Sequence, residues 1–261
     1  MKLLSFHYHL KIDLDAPVNG HHFTLRCTPV SDARQRIVKA ERYIFPADFL
    51  SESRDNWGNT LIYGCCRGEH TSFEANVCGQ AVAGLAEAVP SENPARDLIF
   101  QYPTPLTTAD ESIRSFAGGL RLPGDNVSQA EEIMRAVHSS LSYAPGSTTV
   151  STTAAEAFAA GQGVCQDYAH VMLAILRSRG IPCRYVVGML LGEGKSHAWV
   201  EVLHENCWYG FDPTNCRRVT DEHIKLSHGR DYLDCTINRG LFRGAANQKT
   251  DISVIVSETL R

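Results

Sequence analysis

Three short motifs follow one another in this chain, GVCQDYAH, SHAWVEV and GFDPTN, and each carries one residue of a possible reacting set: Cys165, His197 and Asp212. A thiol attacks carbonyl carbon as thiolate. An imidazole held by a carboxylate is suited to take the thiol proton and return it to a leaving group. In chain order the three therefore read as nucleophile, base and orienting group. Gly161 and Gly163 precede the cysteine and let the chain approach a substrate closely. A cysteine in the first turn of a helix also lies beside unsatisfied N–H groups and the positive end of the helix dipole. The backbone N–H of Cys165 would then face the oxyanion formed by attack on an amide or thioester carbonyl. Each residue alone has an ordinary alternative as a buried thiol, a hydrogen-bonded strand histidine or a turn carboxylate. Their combination at a glycine loop and on two successive strands is hard to obtain from packing alone.

Specific elements must hold these side chains. The segment from Cys165 to Arg179 is apolar at Tyr168, Ala169, Met172, Leu173, Ile175 and Leu176, which predicts a largely buried helix. Gly180 stops it, with Arg177 and Arg179 near its negative end. β-branched and aromatic residues predict strands over 184–191, 197–203, 207–211 and 252–257. His197 opens the second of these, 32 residues after the cysteine (197 − 165), and Asp212 lies 15 further on (212 − 197), across a turn through His204, Glu205 and Asn206. Pro213 biases Asp212 toward extended backbone, aiming its carboxylate at a cross-strand neighbour.

Upstream, capping-box patterns at Thr108/Glu111, Ser128/Glu131 and Thr153/Glu156 predict three helix starts. Before them the period is two: Phe6, Tyr8 and Leu10 alternate with His7 and His9, and Asn56-Trp57-Gly58-Asn59 predicts a hairpin turn. Pro90, Pro94, Pro103 and Pro105 interrupt any regular element. The expected organisation is a β-rich domain over 1–88, a linker over 89–105 and an α+β core over 106–261, with helices packed on an antiparallel sheet.

The segments GVCQDYAH, GIPCRYVVG, SHAWVEV and GFDPTN resemble the transglutaminase-like cysteine peptidase family of bacteria, densely over 149–215 and weakly over 223–234. HHFTLRCTP and the turn at 55–59 are similar to the β-rich domain that precedes the core in those proteins. The resemblance implies a papain-like or transglutaminase-like core and a Cys165, His197, Asp212 triad. It also implies an aromatic or amide donor completing the oxyanion hole, for which Gln162, Tyr143 and Gln166 are candidates, with Trp199 as a site wall. Cys183 and Cys235 stand where the family pattern suggests Ala and Val. The reaction so implied is cysteine-dependent hydrolysis of a peptide or protein amide through an acyl thioester. The same triad serves acyl transfer to an amine, as in a protein-glutamine transglutaminase. Hydrolysis is the expectation because no dense acidic loop suggests Ca²⁺ regulation. A non-catalytic peptide-binding module, with the β domain as its working part, is the third reading.

Composition supports an ordinary globular protein. Net charge is −4 without a basic run, which argues against a nucleic-acid partner. No apolar stretch is long enough for a membrane span, and MKLLSFHYHLKIDLD does not read as a signal peptide, so the expected location is cytoplasmic. Nine cysteines without a C-x-x-C pair read as reduced thiols. His7 and His9 lack a partner at metal-ligand spacing, His21 and His22 point to opposite faces, and His170 is assigned a structural hydrogen bond. No cofactor or metal is expected.

Overall fold

The computed structural model describes residues 1–122 and 124–259. Its first five strands are β1 (Lys2–Leu25), β2 (Gln35–Phe45), β3 (Phe49–Arg54), β4 (Thr60–Cys66) and β5 (His70–Ala83). The period-two pattern is realised in β1, where Phe6, Tyr8 and Leu10 are buried while His7 faces solvent. This strand serves two ribbons. Residues 2–13 pair with β5, and residues 21–25 pair with β4. The turn through Trp57 joins β3 to β4 as an antiparallel hairpin, as its residues predict.

The proline-interrupted stretch is packed down on the second half of the chain. It contains strand β6 (Ala88–Pro90), the single-turn helix α1 (Pro94–Asp97) and two 3₁₀ turns. Then come α2 (Glu111–Gly119), α3 (Asn126–Ser140), β7 (Ser142–Tyr143), α4 (Ala154–Ala160), β8 (Gln162–Gly163) and α5 (Cys165–Ser178). The capping box at Thr153/Glu156 starts α4 as expected. The other two helices start elsewhere: Asp110 caps α2 by accepting from Ile113 N, and Asp125 caps α3 by accepting from Ser128 N. In both cases a nearby carboxylate provides a charged acceptor for the orphan N–H groups.

The remaining strands are β9 (Cys183–Leu190), β10 (Gly192–Gly194), β11 (His197–His204), β12 (Cys207–Asp212), β13 (Arg217–Arg218), β14 (His223–Gly229), β15 (Asn238–Arg243) and β16 (Gln248–Glu258). Six strands form an antiparallel core sheet in the order β13-β12-β11-β9-β14, with β6 also pairing β12. The expected strand over 252–257 forms but does not join this sheet. As part of β16 it pairs with residues 4–14 of β1, on the side that β5 leaves open, and β15 pairs with the far end of β1. The reason is edge coverage: β1 is long, and its inward residues require two hydrogen-bonded neighbours.

Every residue of α5 from Gln166 to Arg177 is buried, which fits a helix apolar on nearly all sides. It is surrounded by α2, α3, α4 and the sheet strands β9 and β11. Arg177, expected near the negative end of the helix, is drawn fully inside, where it donates to the carbonyls of Phe100, Cys183 and Arg230. Ala198, Val200 and Val202 of β11 belong to the core around α5, whereas Trp199 and Leu203 pack in separate clusters. Alternating with them, Glu201 is buried between two cations, accepting from Arg184 Nε at 2.6 Å and Lys225 Nζ at 2.8 Å. Burial disfavours its charge, but Arg184 and Lys225 prevail and hold the carboxyl down at about 2.

Candidate active site

The nucleophile candidate is positioned by a loop with little freedom. Helix α4 ends at Gly161, whose φ of 64° is the left-handed conformation that glycine adopts without strain. The chain then runs parallel to β7, with Ser142 N donating to Gly161 O and Ala144 N to Gly163 O, both at 2.9 Å. A side chain at 163 could not be accommodated, because a Cβ there would lie 2.6 Å from Cβ and Oδ2 of Asp167. Asp167 Oδ2 accepts Val164 N–H and the Thr148 hydroxyl, each at 2.7 Å. Val164 O in turn accepts from Asp167 N and Tyr168 N, which starts the helix at Cys165. The thiol is thus half-buried at the first turn, where backbone N–H groups lack intrahelical acceptors.

His197 opens β11 opposite Gly188 of β9, and Asp212 closes the neighbouring β12. His197 Nε2 lies 2.8 Å from Asp212 Oδ2, which commits that nitrogen to the carboxylate. Burial works against a charged imidazole. The hydrogen bond to Asp212, then the neighbouring Cys165 and the Asp212 charge, overcome it and raise the pKa to about 9. Asp212 is fully buried, and burial alone would raise its carboxyl. It is instead held well below the usual carboxylate range by donors on both oxygens. Oδ1 accepts Thr214 N at 3.1 Å and Asn215 N at 3.2 Å, and Oδ2 accepts Asn215 Nδ2 at 2.7 Å as well as His197.

A further residue reaches the same oxygen. His223 Nε2 lies 3.3 Å from Asp212 Oδ2, and Trp199 packs edge-on against its ring at 5.4 Å. Sequence reasoning missed His223 and Asn215 as members of the site. The available signals were the side-chain amide three residues beyond Asp212 and a histidine beginning an otherwise apolar strand. Nε2 of both histidines and a carboxylate oxygen of Asp212 lie within 4.8 Å of one another, a set of metal-ligand types. The set does not fit an ion as arranged. Thr220 N–H donates to His223 Nδ1 at 3.2 Å, so the ring proton sits on Nε2, the atom a metal would need.

The oxyanion candidates occupy different surroundings. Gln166 is buried and donates to Val150 O, and Trp199 is buried in the wall below the two histidines. Tyr143 is 57% exposed, and burial first, then the neighbouring Cys165, raise its hydroxyl pKa. Gln162 is exposed, paired across the β7–β8 ladder with Ser142. The other histidines are apart: His7 and His9 bond Asn76 and Glu74, His21 bonds His70, and buried His170 accepts from Tyr232 N. All nine cysteines are free thiols, and Cys183 and Cys235 are buried with their pKa values pushed up.

Comparison with known proteins gives the family and the fold. A family model described as the transglutaminase-like superfamily matches residues 114–213, and one described as the bacterial transglutaminase-like N-terminal region matches residues 4–81. An uncharacterized protein of Mycobacterium leprae is 30% identical over 267 residues, covering 94% of each chain. The chain belongs to the transglutaminase-like superfamily. An uncharacterized Mycobacterium bovis protein is 29% identical over 88% of this chain and 84% of its own. Among solved structures, a candidate cysteine protease from Cytophaga hutchinsonii shares the fold with a TM-score of 0.81 at 18% identity, over 100% of this chain and 92% of that one. The family's α+β plan, a β-rich sheet before a helix-packed core, is the one described above.

Proposed function

We propose that this protein is a cysteine-dependent amide hydrolase, a peptidase or amidase, working through an acyl thioester on Cys165. The reading is supported by the imidazole of His197, bonded to Asp212 through Nε2, and by a half-buried Cys165 at the first turn of α5 that helps to raise the imidazole's pKa. In the first half-reaction the sulfur, as thiolate with its proton held on the His197 imidazolium, attacks an amide carbonyl. The oxyanion forms at the first turn of α5, within reach of the Cys165 N–H. The C–N bond breaks as His197 returns the proton to the departing amine. Water then attacks the thioester, giving its proton to His197. The carboxylate product leaves as the thiol is restored.

The test is a peptide-library digest read by mass spectrometry, with and without an added primary amine. Wild type is expected to release free acids, and Cys165→Ala to release none while keeping its circular dichroism spectrum. Full turnover by the alanine variant would overturn the mechanism. Amine adducts in place of acids would redirect the second half-reaction to acyl transfer.

A further inference from the structure

We propose that His223 is a positioning residue for this reaction, a neutral second imidazole that donates to the Asp212 carboxylate and fixes it for His197. The inference rests on the cysteine-hydrolase reading above. Its first support is the tautomer. A backbone N–H can only donate, so Thr220 N–H, 3.2 Å from His223 Nδ1, requires a lone pair there and puts the ring proton on Nε2. That proton points at Asp212 Oδ2, 3.3 Å away.

The second support is that this ring is held neutral. Protonating Nδ1 would set two N–H groups against each other. The charged and titratable groups facing the ring are Asp212 on β12, His197 on β11 and Arg217 on β13, and two of these three oppose a second cation. Burial opposes it further, the His223 side chain having no exposed surface. Trp199, edge-on at 5.4 Å, fixes the ring plane.

Neutrality gives the contact its use. A cation at this position would compete with His197 for the carboxylate's charge. A neutral donor restrains the carboxylate without cancelling that charge, so Asp212 stays fully available to the imidazolium on β11. Asn215 acts on the same oxygen from the adjacent turn, and together they keep Oδ2 from rotating away from His197.

The test is the rate of Cys165 alkylation by iodoacetamide in the full chain, resolved from the other eight thiols by peptide mass spectrometry. His223→Leu keeps a comparable apolar volume and removes the donor, whereas His223→Gln keeps an N–H near the Nε2 position. The leucine variant is expected to lose about 10- to 100-fold in rate at neutral pH, the equivalent of one hydrogen bond to a charged group. The glutamine variant is expected to recover most of it. In parallel, ¹⁵N NMR of wild type at neutral pH should show the His223 ring as the neutral Nε2–H tautomer.

A folded leucine variant alkylated at the wild-type rate overturns the proposal, as does a glutamine variant as slow as leucine. A His223 ring that carries a proton on Nδ1 at neutral pH overturns it too, and this holds even where the leucine variant fails to fold. Peptide turnover by Cys165→Ala separates the two levels. Full turnover there refutes the hydrolase reading itself, whereas an inert alanine variant beside an unaffected leucine variant refutes the role of His223 alone.

Discussion

Replacing Asp212 by Asn probes the site most directly, because amide and carboxylate have the same shape and differ in which atoms can accept. The backbone N–H groups of Thr214 and Asn215 sit on Oδ1, so the amide oxygen of Asp212→Asn must take that place. Its NH₂ then falls at the Oδ2 position, facing Asn215 Nδ2, His223 Nε2 and His197 Nε2. His223 cannot turn acceptor there, since Thr220 N–H already fills its Nδ1. Only His197 can, by giving up its Nε2 proton and staying neutral with N–H at Nδ1, so that it no longer holds the thiol's proton as an imidazolium. The imidazole also loses the hydrogen bond and charge that do most to hold its pKa near 9 against burial. Wrong tautomer and lost charge together predict a fall in turnover of roughly 10³- to 10⁴-fold. The assay is the pH profile of Cys165 alkylation, with unfolding curves to register about 1–3 kcal/mol for each donor left unpaired. An Asn variant with the wild-type rate and profile would refute the link from Asp212 through His197 to the thiol.

The buried group on the neighbouring strand yields a stability prediction. Glu201→Gln leaves Arg184 and Lys225 buried without their shared counter-charge and should cost about 3–5 kcal/mol in denaturant unfolding; an unchanged midpoint would mean the pairing contributes nothing. Gly163→Ala places a methyl against Asp167 and should release Val164 N–H, cutting Cys165 alkylation at least about tenfold at a cost of about 1–3 kcal/mol. Normal reactivity in that variant would show that the loop does not set the thiol. The pH dependence of stability carries two signs. Glu201 and Asp212 have folded pKa values below their unfolded ones, so their contribution is full above about 4.5 and is lost as pH falls toward 2. His197 is raised, so its contribution is full below 6.5 and is lost as pH rises through about 9. Thermal midpoints should decline at both ends, and a flat acid limb would contradict the first assignment.

The sequence determined the local part of this picture. A chain that alternates through Phe6, Tyr8 and Leu10 must lie in a half-buried strand. One that is apolar on nearly every side from Tyr168 to Leu176 must be a buried helix, and a glycine at 161 ends the helix before it. The element boundaries at which Cys165, His197 and Asp212 stand could be located because turn chemistry and periodicity are both legible there. Contacts between distant segments were decided only by tertiary structure. Whether 252–257 completes the core sheet or covers β1 depends on which strand edge is left open, a property of the assembled sheet. The same holds for His223, which reads as one polar residue beginning an apolar strand until β14 lies two strands from β11 and the Thr220 turn supplies its N–H. Glu201, Arg184 and Lys225 show the reason most plainly. Three charges on three strands become a buried group only because the sheet sets them side by side, and pattern within a single segment carries no record of its neighbours across the ladder.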